Sequence, residues 1–197
     1  HGEDGADVIN GRFGNDLIFG GNQFDTITAG EGNDTVAGGN GRDLVFLNQG
    51  NDLYNDNTQG GELGRDTVFA GLGNDTIEGG NGDDQFFGED GADVINGRFG
   101  NDLINGGAGS DTLTGGEGGD TFVFAGSVLL SGVDVITDFD QSLDTLRING
   151  VADQNDVQVF VNSATEALVF FNGFEAITVQ STGSSLAGFG LDDIVFG

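Results

Sequence analysis

A nine-residue repeat with a fixed aspartate runs through residues 2–123 and restricts the possible folds more than any other feature of the chain. Thirteen copies follow one another, interrupted only by five extra residues, DNTQG, at 56–60. The fourth residue of each copy is glycine except at Gln23, and the eighth is always bulky and apolar or aromatic. The sixth residue is aspartate in every copy: Asp7, Asp16, Asp25, Asp34, Asp43, Asp52, Asp66, Asp75, Asp84, Asp93, Asp102, Asp111 and Asp120. These fixed positions indicate one structural unit repeated along the chain.

Each copy predicts a turn followed by a short strand. The first six residues are rich in Gly and Asp, which favours a turn because glycine permits positive φ. The last three favour a strand whose middle side chain points inward, since successive strand side chains face opposite sides. Two copies then form one coil, and stacked coils bury the eighth position between two sheets. The expected fold class is all-β, a right-handed parallel β-roll over 2–123 followed by a small β cap over 124–197.

The stretch GEDGADVINGRFGNDLI occurs identically at 2–18 and at 88–104, 86 residues apart. Nine copies plus the five-residue insert make up this spacing, and 2–37 and 88–123 agree at 27 of 36 positions. The identities indicate duplication of a whole module. Because the chain opens inside a repeat, we expect it to be the C-terminal part of a longer protein that has more copies upstream.

Alternate copies should lie above one another, so the aspartates are expected to form two ladders. One edge carries Asp7, Asp25, Asp43, Asp66, Asp84, Asp102 and Asp120, and the other carries Asp16, Asp34, Asp52, Asp75, Asp93 and Asp111. Stacked carboxylates repel unless a cation lies between them. Ca²⁺ suits such oxygen ligands, and the gaps along the two edges predict roughly 8–11 ions. The alternative, aspartates that only cap glycine turns, explains a few of these residues but not thirteen in phase.

The repeat resembles the nonapeptide GGxGxDxUx of RTX, or hemolysin-type, calcium-binding proteins. This resemblance covers residues 2–123 and implies a β-roll in which the sixth-position carboxylates bind calcium. It also implies that the fourth-position glycines bind calcium through their backbone carbonyls: Gly5, Gly14, Gly32, Gly41, Gly50, Gly64, Gly73, Gly82, Gly91, Gly100, Gly109 and Gly118.

The insert at 56–60 has two interpretations. It forms either a short polar bulge on one edge of the roll or a break between two separate rolls, and the bulge is favoured because the insert is short. The assignment of aspartates to edges beyond Asp52 depends on this choice.

The C-terminal segment 124–197 changes character, since VQVFV, ALVFF, AITVQ and DIVF alternate in a way that predicts antiparallel strands. A cap is needed because the last coil exposes strand edges and an apolar end. The candidates to cover that end are Phe139, Leu143, Leu146, Phe160, Phe170, Phe171 and Phe174.

The beginning of this segment echoes the repeat. GVDVIT at 132–137 fits positions four to nine, with Asp134 in the ligand place. The run DVITDFDQSLDTLRI resembles the segment that closes the roll in serralysin-type proteases and alginate epimerase modules. That resemblance implies that Asp134 and Asp144 close the last calcium site. Asp138 and Asp140 are either further ligands or solvated turn acids.

Composition excludes several kinds of partner and site. Five Lys+Arg against 33 acidic residues give a net charge of −28, which should repel nucleic acid and anionic membranes. No Cys is present for a disulfide or thiolate site, and no apolar run approaches the length of a membrane span. The RTX resemblance implies that the terminal LDDIVFG belongs to an uncleaved signal for a Gram-negative-type type I secretion apparatus, so we expect an extracellular protein. The alternative is that DIVF is only a final strand.

Catalysis is not expected, because the chain has no Cys or Lys and a single His, at residue 1. Any catalytic domain would lie upstream. The leading hypothesis is a calcium-triggered folding and secretion module, and the alternative is an adhesin or a glycan- or surface-binding module. For that alternative, Phe46, Phe69 and Phe87 share the ninth position and would stack as a strip that docks an upstream domain or a surface ligand, unless the insert covers them.

Overall fold

The computed structural model describes residues 1–56, 64–125, 132–150, 157–171, 174–182 and 185–196. In these residues the backbone forms β-strands and one turn of 3-10 helix at Leu191–Asp193, and no helix there is long and apolar enough to cross a membrane. The strands are β1 Glu3–Asp4, β2 Val8–Phe13, β3 Leu17–Asn22, β4 Thr26–Glu31, β5 Thr35–Asn40, β6 Leu44–Gln49, β7 Leu53–Asn55, β8 Thr67–Leu72, β9 Thr76–Asn81, β10 Gln85–Asp90, β11 Val94–Phe99, β12 Leu103–Asn105, β13 Thr112–Glu117, β14 Thr121–Ala125, β15 Asp134–Ile136, β16 Thr145–Asn149, β17 Val157–Ser163, β18 Glu166–Phe171, β19 Phe174–Gln180 and β20 Ile194–Phe196.

Successive strands alternate between two sheets, so each coil contributes one strand to each sheet. The first sheet has the order β1-β3-β5-β7-β9-β11-β13-β15-β19-β18-β17, and the second has the order β2-β4-β6-β8-β10-β12-β14-β16-β20. Within the repeats the described pairs are parallel, with Ile9 opposite Ile27 and Ile18 opposite Val36. The expected all-β, parallel β-roll is confirmed.

The stack continues across the insert. Strand β6 pairs with β8, with Val45 opposite Val68, and β7 pairs with β9, with Tyr54 opposite Ile77. In both pairs the opposed residues are separated in sequence by one coil plus the five inserted residues. This is what a bulge on one edge requires, whereas two separate rolls would not pair in this way. Residues 57–60 of the insert lie outside the described part of the chain.

Most strands are longer than the three residues expected. Strand β2, Val8–Phe13, covers the last three positions of one copy and the first three of the next. The first three positions also pair with the neighbouring coil, as Arg12 opposite Gly30 shows. The turn is therefore confined to positions four to six, and the prediction of a six-residue turn was wrong.

The eighth position forms the core between the sheets. These side chains are fully buried from Ile27 to Phe122, while Ile18 is almost buried and Ile9 is partly buried. Burying one such side chain stabilises a fold by roughly 1.5–3 kcal/mol. A single coil has no neighbour on which to bury this row, so stacking is the source of stability.

The C-terminal region continues both sheets. Strands β15 and β16 pair in parallel with β13 and β14, and β20 pairs in parallel with β16. Strands β17, β18 and β19 are antiparallel, and β19 joins β15 in parallel. The prediction that DIVF is antiparallel was wrong, and β14 crosses the expected boundary at residue 123. The open edges of the roll present unpaired N–H and C=O groups that recruit these strands in parallel.

Two of the side chains predicted to cover the end of the roll are buried there, and one is not. Phe139 and Leu146 are buried, and Phe139 contacts Phe122 and Phe189 with ring centroids 6.1 and 5.6 Å apart. Leu143 is 61% exposed, so its assignment to the cover was wrong; it lies in the hydrogen-bonded turn before β16 and points to solvent. Phe170 is half-buried, and the side chains of Phe160, Phe171 and Phe174 lie outside the described part of the chain.

Candidate metal centres

The sixth-position aspartates form two ladders along the edges of the roll. The N–H of Asp7 donates to Oδ1 of Asp25 at 2.8 Å, and the N–H of Asp16 donates to Oδ1 of Asp34 at 2.7 Å. The same bond recurs on the first edge through Asp7, Asp25, Asp43, Asp66, Asp84, Asp102, Asp120 and Asp144. It recurs on the second edge through Asp16, Asp34, Asp52, Asp75, Asp93, Asp111 and Asp134. From Asp25 and Asp34 onward, each Oδ1 is thereby held by the backbone of a neighbouring coil.

The second carboxylate oxygen of most ladder aspartates is buried and accepts no hydrogen bond. This holds for Oδ2 of Asp7, Asp16, Asp25, Asp34, Asp43, Asp52, Asp75, Asp93, Asp102, Asp111 and Asp120. Leaving a buried polar atom without a partner costs about 1–3 kcal/mol, and more for a charged one. The ladders therefore require a positive counterpart.

Several of the orphaned oxygens lie close to a backbone carbonyl of the next coil. A Cβ built on Gly20 would lie 2.6 Å from Oδ2 of Asp25 and would collide with the carbonyl oxygen of Gly38. The same two kinds of oxygen meet at Gly2, beside Asp7. At these two copies the first position is glycine because a side chain there would fill the gap between carboxylate and carbonyl.

The fourth-position carbonyls point along the stack. A Cβ on Gly50 would collide with the carbonyl oxygen of Gly32, so coils approach too closely for a side chain. Gln23 replaces glycine but keeps the left-handed turn, with φ of 80°. Positive φ is found at Gly5, Gly14, Gly32, Gly41, Gly50, Gly73, Gly82, Gly91, Gly100, Gly109 and Gly118. Gly64, which follows the insert, forms instead an isolated parallel bridge with Gly82.

Burial raises the pKa of the ladder carboxyls from Asp34 to Asp144. Desolvation is the largest cause, and neighbouring carboxylates add to it while the donated backbone N–H opposes it. The pKa is about 6 for Asp52 and Asp120, about 7 for Asp43, Asp84, Asp93 and Asp134, and about 8 for Asp102. Near neutral pH and without a counter-ion, burial therefore disfavours the ionised form of these carboxyls.

The donor atoms fit a hard divalent cation. Among the described residues no group of three or more side-chain ligands converges on one point, so backbone carbonyls must complete each site. Carboxylates combined with backbone carbonyls form the donor set that Ca²⁺ prefers. The residues that would hold the ion are the ladder aspartates with an orphaned Oδ2, together with the first- and fourth-position carbonyls.

The ladder departs from this pattern next to the insert. Oδ2 of Asp66 accepts a hydrogen bond from the Tyr54 hydroxyl at 2.8 Å. Beside Gly79, the ring of Phe86 occupies the place where other copies have Oδ2, since a Cβ there would lie 2.7 Å from Phe86 Cζ. Asp66 therefore differs from the eleven aspartates with an orphaned Oδ2 in having both carboxylate oxygens hydrogen-bonded. Asp144 shares this feature, since its Oδ2 accepts the N–H of Asp140 at 2.8 Å.

The two aspartates expected to close the roll occupy ladder positions. Oδ1 of Asp134 accepts the N–H of Asp111, and Oδ1 of Asp144 accepts the N–H of Asp120, both at 2.9 Å. Asp144 thus takes the ladder position although it lies outside the nonapeptide phase.

The two neighbouring acids of this segment act on the backbone. Oδ1 and Oδ2 of Asp138 accept the N–H groups of Gly115 and Gly116 at 2.9 and 2.8 Å. Oδ1 of Asp140 accepts the N–H and the hydroxyl of Ser142. Of the two open alternatives, these contacts favour structural turn acids over further ligands.

Asp56 and the first-position carbonyls were not predicted from the sequence. Oδ1 of Asp56 accepts the N–H of Gly39 at 2.6 Å, and desolvation raises the pKa of Asp56 to about 8. Asp56 and Asp138 stand two residues after Tyr54 and Ile136, in the first position of a copy, where most copies have glycine. An aspartate in the first position, at each interruption of the nine-residue phase, was the sequence signal that could have identified these residues.

The ninth-position phenylalanines stack on the second sheet as expected. The ring centroids of Phe46 and Phe69 are 5.3 Å apart, those of Phe69 and Phe87 are 4.8 Å apart, and both pairs are nearly parallel. All three are half-buried. Together with Leu72 and Glu89, Phe46 and Phe69 border a groove of about 460 Å³.

The solved structures that resemble this chain include a lipase and a subunit of an epimerase. That of the extracellular lipase LipA from Serratia marcescens matches 88% of this chain at 19% identity, with a TM-score of 0.42. The match covers 40% of the lipase, so the chain spans less than half of its length. The solution structure of the AlgE6R3 subunit of the Azotobacter vinelandii mannuronan C5-epimerase matches 70% of this chain and 81% of that subunit, at 29% identity and a TM-score of 0.31. No curated protein sequence matches the chain.

The nonapeptides themselves match a family model. Residues 1–27, 19–54, 60–95 and 87–122 match the model of the RTX calcium-binding nonapeptide repeat in its four-copy form. These matches span more than half of the chain. They agree with the donor set of the ladders, and several calcium ions are therefore the metal cofactors of the roll. The chain belongs to the family of proteins that carry the RTX calcium-binding nonapeptide repeat.

Proposed function

We propose that this chain is a calcium-triggered folding and secretion module at the C-terminus of a larger exported protein. The observation that carries the proposal is the row of eleven buried Oδ2 atoms without hydrogen-bond partners. Without a cation, the folded chain must either protonate these carboxyls or bury them unpaired, and both are unfavourable near neutral pH. Folding would then depend on the calcium concentration.

The charge balance supports this dependence. The chain has 33 acidic residues and 5 Lys+Arg. Two arginines pair with acids outside the ladders, Arg65 with Asp83 at 3.1 Å and Arg98 with Glu78 at 2.8 Å. Bound calcium supplies the positive charge between coils, and the backbone N–H groups hold each Oδ1 in register. Binding free energy thus becomes folding free energy.

Export before folding follows from the same dependence. Extracellular calcium modules bind with Kd of about 10⁻⁴–10⁻³ M, so they remain calcium-free in the cytosol. An unfolded acidic chain can pass through a type I exporter and fold outside the cell. The proposed signal includes LDDIVFG at 191–197, of which Ile194–Phe196 also forms β20. The signal and the last strand would then coincide.

The experiment that tests the trigger is a far-UV circular dichroism titration with calcium, with magnesium as the control. We expect a cooperative transition from coil to β-structure with calcium only, because Mg²⁺ demands octahedral geometry and gives up its water reluctantly. Complete β-structure in chelator at about pH 8, where the ladder carboxyls ionise, would contradict the proposal. A constitutive spacer or binding role would then be the better interpretation.

A second candidate function is surface binding, favoured by the stacked Phe46, Phe69 and Phe87 beside their groove. Aromatic rings in a row offer a face for sugar rings or for an apolar patch of another domain. The test is a glycan-array measurement of the calcium-loaded chain and its Phe69→Leu variant. Binding that is lost while the circular dichroism spectrum is kept would favour an adhesin role.

A further inference from the structure

One ladder aspartate, Asp66, has its second carboxylate oxygen hydrogen-bonded to the side chain of a tyrosine. Tyr54 is fully buried and its hydroxyl donates to Oδ2 of Asp66 at 2.8 Å. Eleven other ladder aspartates have a buried Oδ2 that accepts no hydrogen bond. The difference cannot come from Oδ1, because Asp66 accepts the N–H of Asp43 at 2.8 Å just as Asp25 and Asp43 each accept the N–H of their neighbour. It comes from Tyr54.

The hydroxyl occupies the place of a regular ligand. At Gly20, a Cβ would meet Oδ2 of the copy's own aspartate and the carbonyl oxygen of Gly38 in the next coil. At Gly38 itself, a Cβ would lie 2.5 Å from Oδ2 of Asp43 and 3.0 Å from the Tyr54 hydroxyl. The tyrosine oxygen therefore stands where regular coils present the first-position carbonyl.

The Tyr54 hydroxyl takes this position next to the insert, which begins at Asp56. Asp56, which follows the strand of Tyr54, turns its carboxylate to the N–H of Gly39 at 2.6 Å. The chain at this edge is thus bonded to the preceding coil by the Asp56 carboxylate and to the copy after the insert by the Tyr54 hydroxyl. A hydroxyl proton satisfies Oδ2 without adding a net positive charge, and its ring fills the core space of the eighth position.

We propose that Oδ2 of Asp66 binds no calcium ion, and that the Tyr54 hydroxyl takes the place of the ion there. The inference rests on the proposed calcium dependence of the other contacts. It divides the orphaned Oδ2 atoms of the first edge into two groups, Asp7 to Asp43 before the insert and Asp102 to Asp120 after it. The second edge, where all six repeat aspartates keep an orphaned Oδ2, continues uninterrupted.

The test is the number of calcium ions per chain, resolved by native mass spectrometry of the full chain at saturating calcium. Tyr54→Phe keeps the ring and frees Oδ2 of Asp66, so we expect this variant to bind one ion more than the wild-type chain. Asp66→Asn is expected to leave the number unchanged. The matched control Asp16→Asn, at the same repeat position near the outer end of the roll, is expected to lose at least one ion.

Three results would overturn the inference: no gain with Tyr54→Phe, a loss with Tyr54→Phe, or a loss with Asp66→Asn equal to that of Asp16→Asn. A loss with Tyr54→Phe would make the hydroxyl itself a ligand. These outcomes differ from failure of the proposed function, in which the wild-type chain would fold without binding calcium. Far-UV circular dichroism of each calcium-loaded variant confirms folding, and the conservative Tyr54→Phe change keeps the test decisive if an aspartate variant does not fold.

Discussion

At the scale of single residues, the turn of each copy depends on backbone conformation more than on side-chain chemistry. Gln23 has φ of 80° at the fourth position, where other copies have glycine. In this conformation a residue with a Cβ has roughly 1–2 kcal/mol of steric strain. The turn is retained because the coils on either side over-determine it.

Gln23→Gly is therefore expected to stabilise the calcium-loaded chain by up to about 1 kcal/mol, since relief of strain exceeds the added chain entropy. The measurement is the thermal midpoint at saturating calcium. The control is Gln49→Gly, because Gln49 is the same residue type in a strand, and its replacement should destabilise the chain. A lower midpoint for both variants would contradict the strain argument.

At the scale of strands, the phenylalanine stack on the second sheet links three successive coils across the insert. Phe69 on β8 is the middle ring, 5.3 Å from Phe46 and 4.8 Å from Phe87. Stacked aromatic pairs contribute about 0.5–1.5 kcal/mol each beyond the area they bury. The stack thus supports the register where the repeat phase is broken.

Phe69→Ala is expected to lower the free energy of unfolding of the calcium-loaded chain by about 2 kcal/mol, because it removes both ring contacts and half-buried apolar area. Denaturant unfolding at fixed calcium measures this change. Phe19→Ala is the matched control, since Phe19 has the same repeat position on the other sheet, is 37% exposed and stacks only with His1 among the described ring pairs. Equal losses for the two variants would show that the stack adds nothing.

At the scale of the whole molecule, the buried ladders couple folding to pH as well as to calcium. In the folded chain the pKa is about 7 for Asp93 and about 8 for Asp102, compared with an ordinary value of 3.8. Between these values the calcium-free folded state holds more protons than the unfolded state. Its stability is therefore present below the ordinary pKa and is lost as the pH rises through the raised one.

We expect the chelator-treated chain to lose β-structure between about pH 5 and about pH 8, whereas the calcium-loaded chain keeps it. Calcium binding displaces protons from the ladder, so calcium affinity should increase over the same range. Far-UV circular dichroism against pH, in chelator and in calcium, checks both statements. A calcium-free stability that does not change with pH would show that the carboxyls are not buried as described.

Local periodicity was sufficient to predict the roll, its two ladders and its inward row. The nine-residue period places Asp7 beneath Asp25 and Ile9 opposite Ile27, because coil length and strand alternation are properties of short segments. The phase also survived the insert, since five added residues on one edge leave the strands on either side in register.

The tertiary structure alone decided which oxygens remain available and how the roll ends. Tyr54 reaches Asp66 across twelve residues, and Asp138 reaches Gly115 across twenty-three. Strand β20 joins β16 in parallel because the sheet edge offers free backbone groups, whatever the alternation of DIVF. The period determined where each aspartate lies, whereas contacts between distant segments determined which of them still needs a cation.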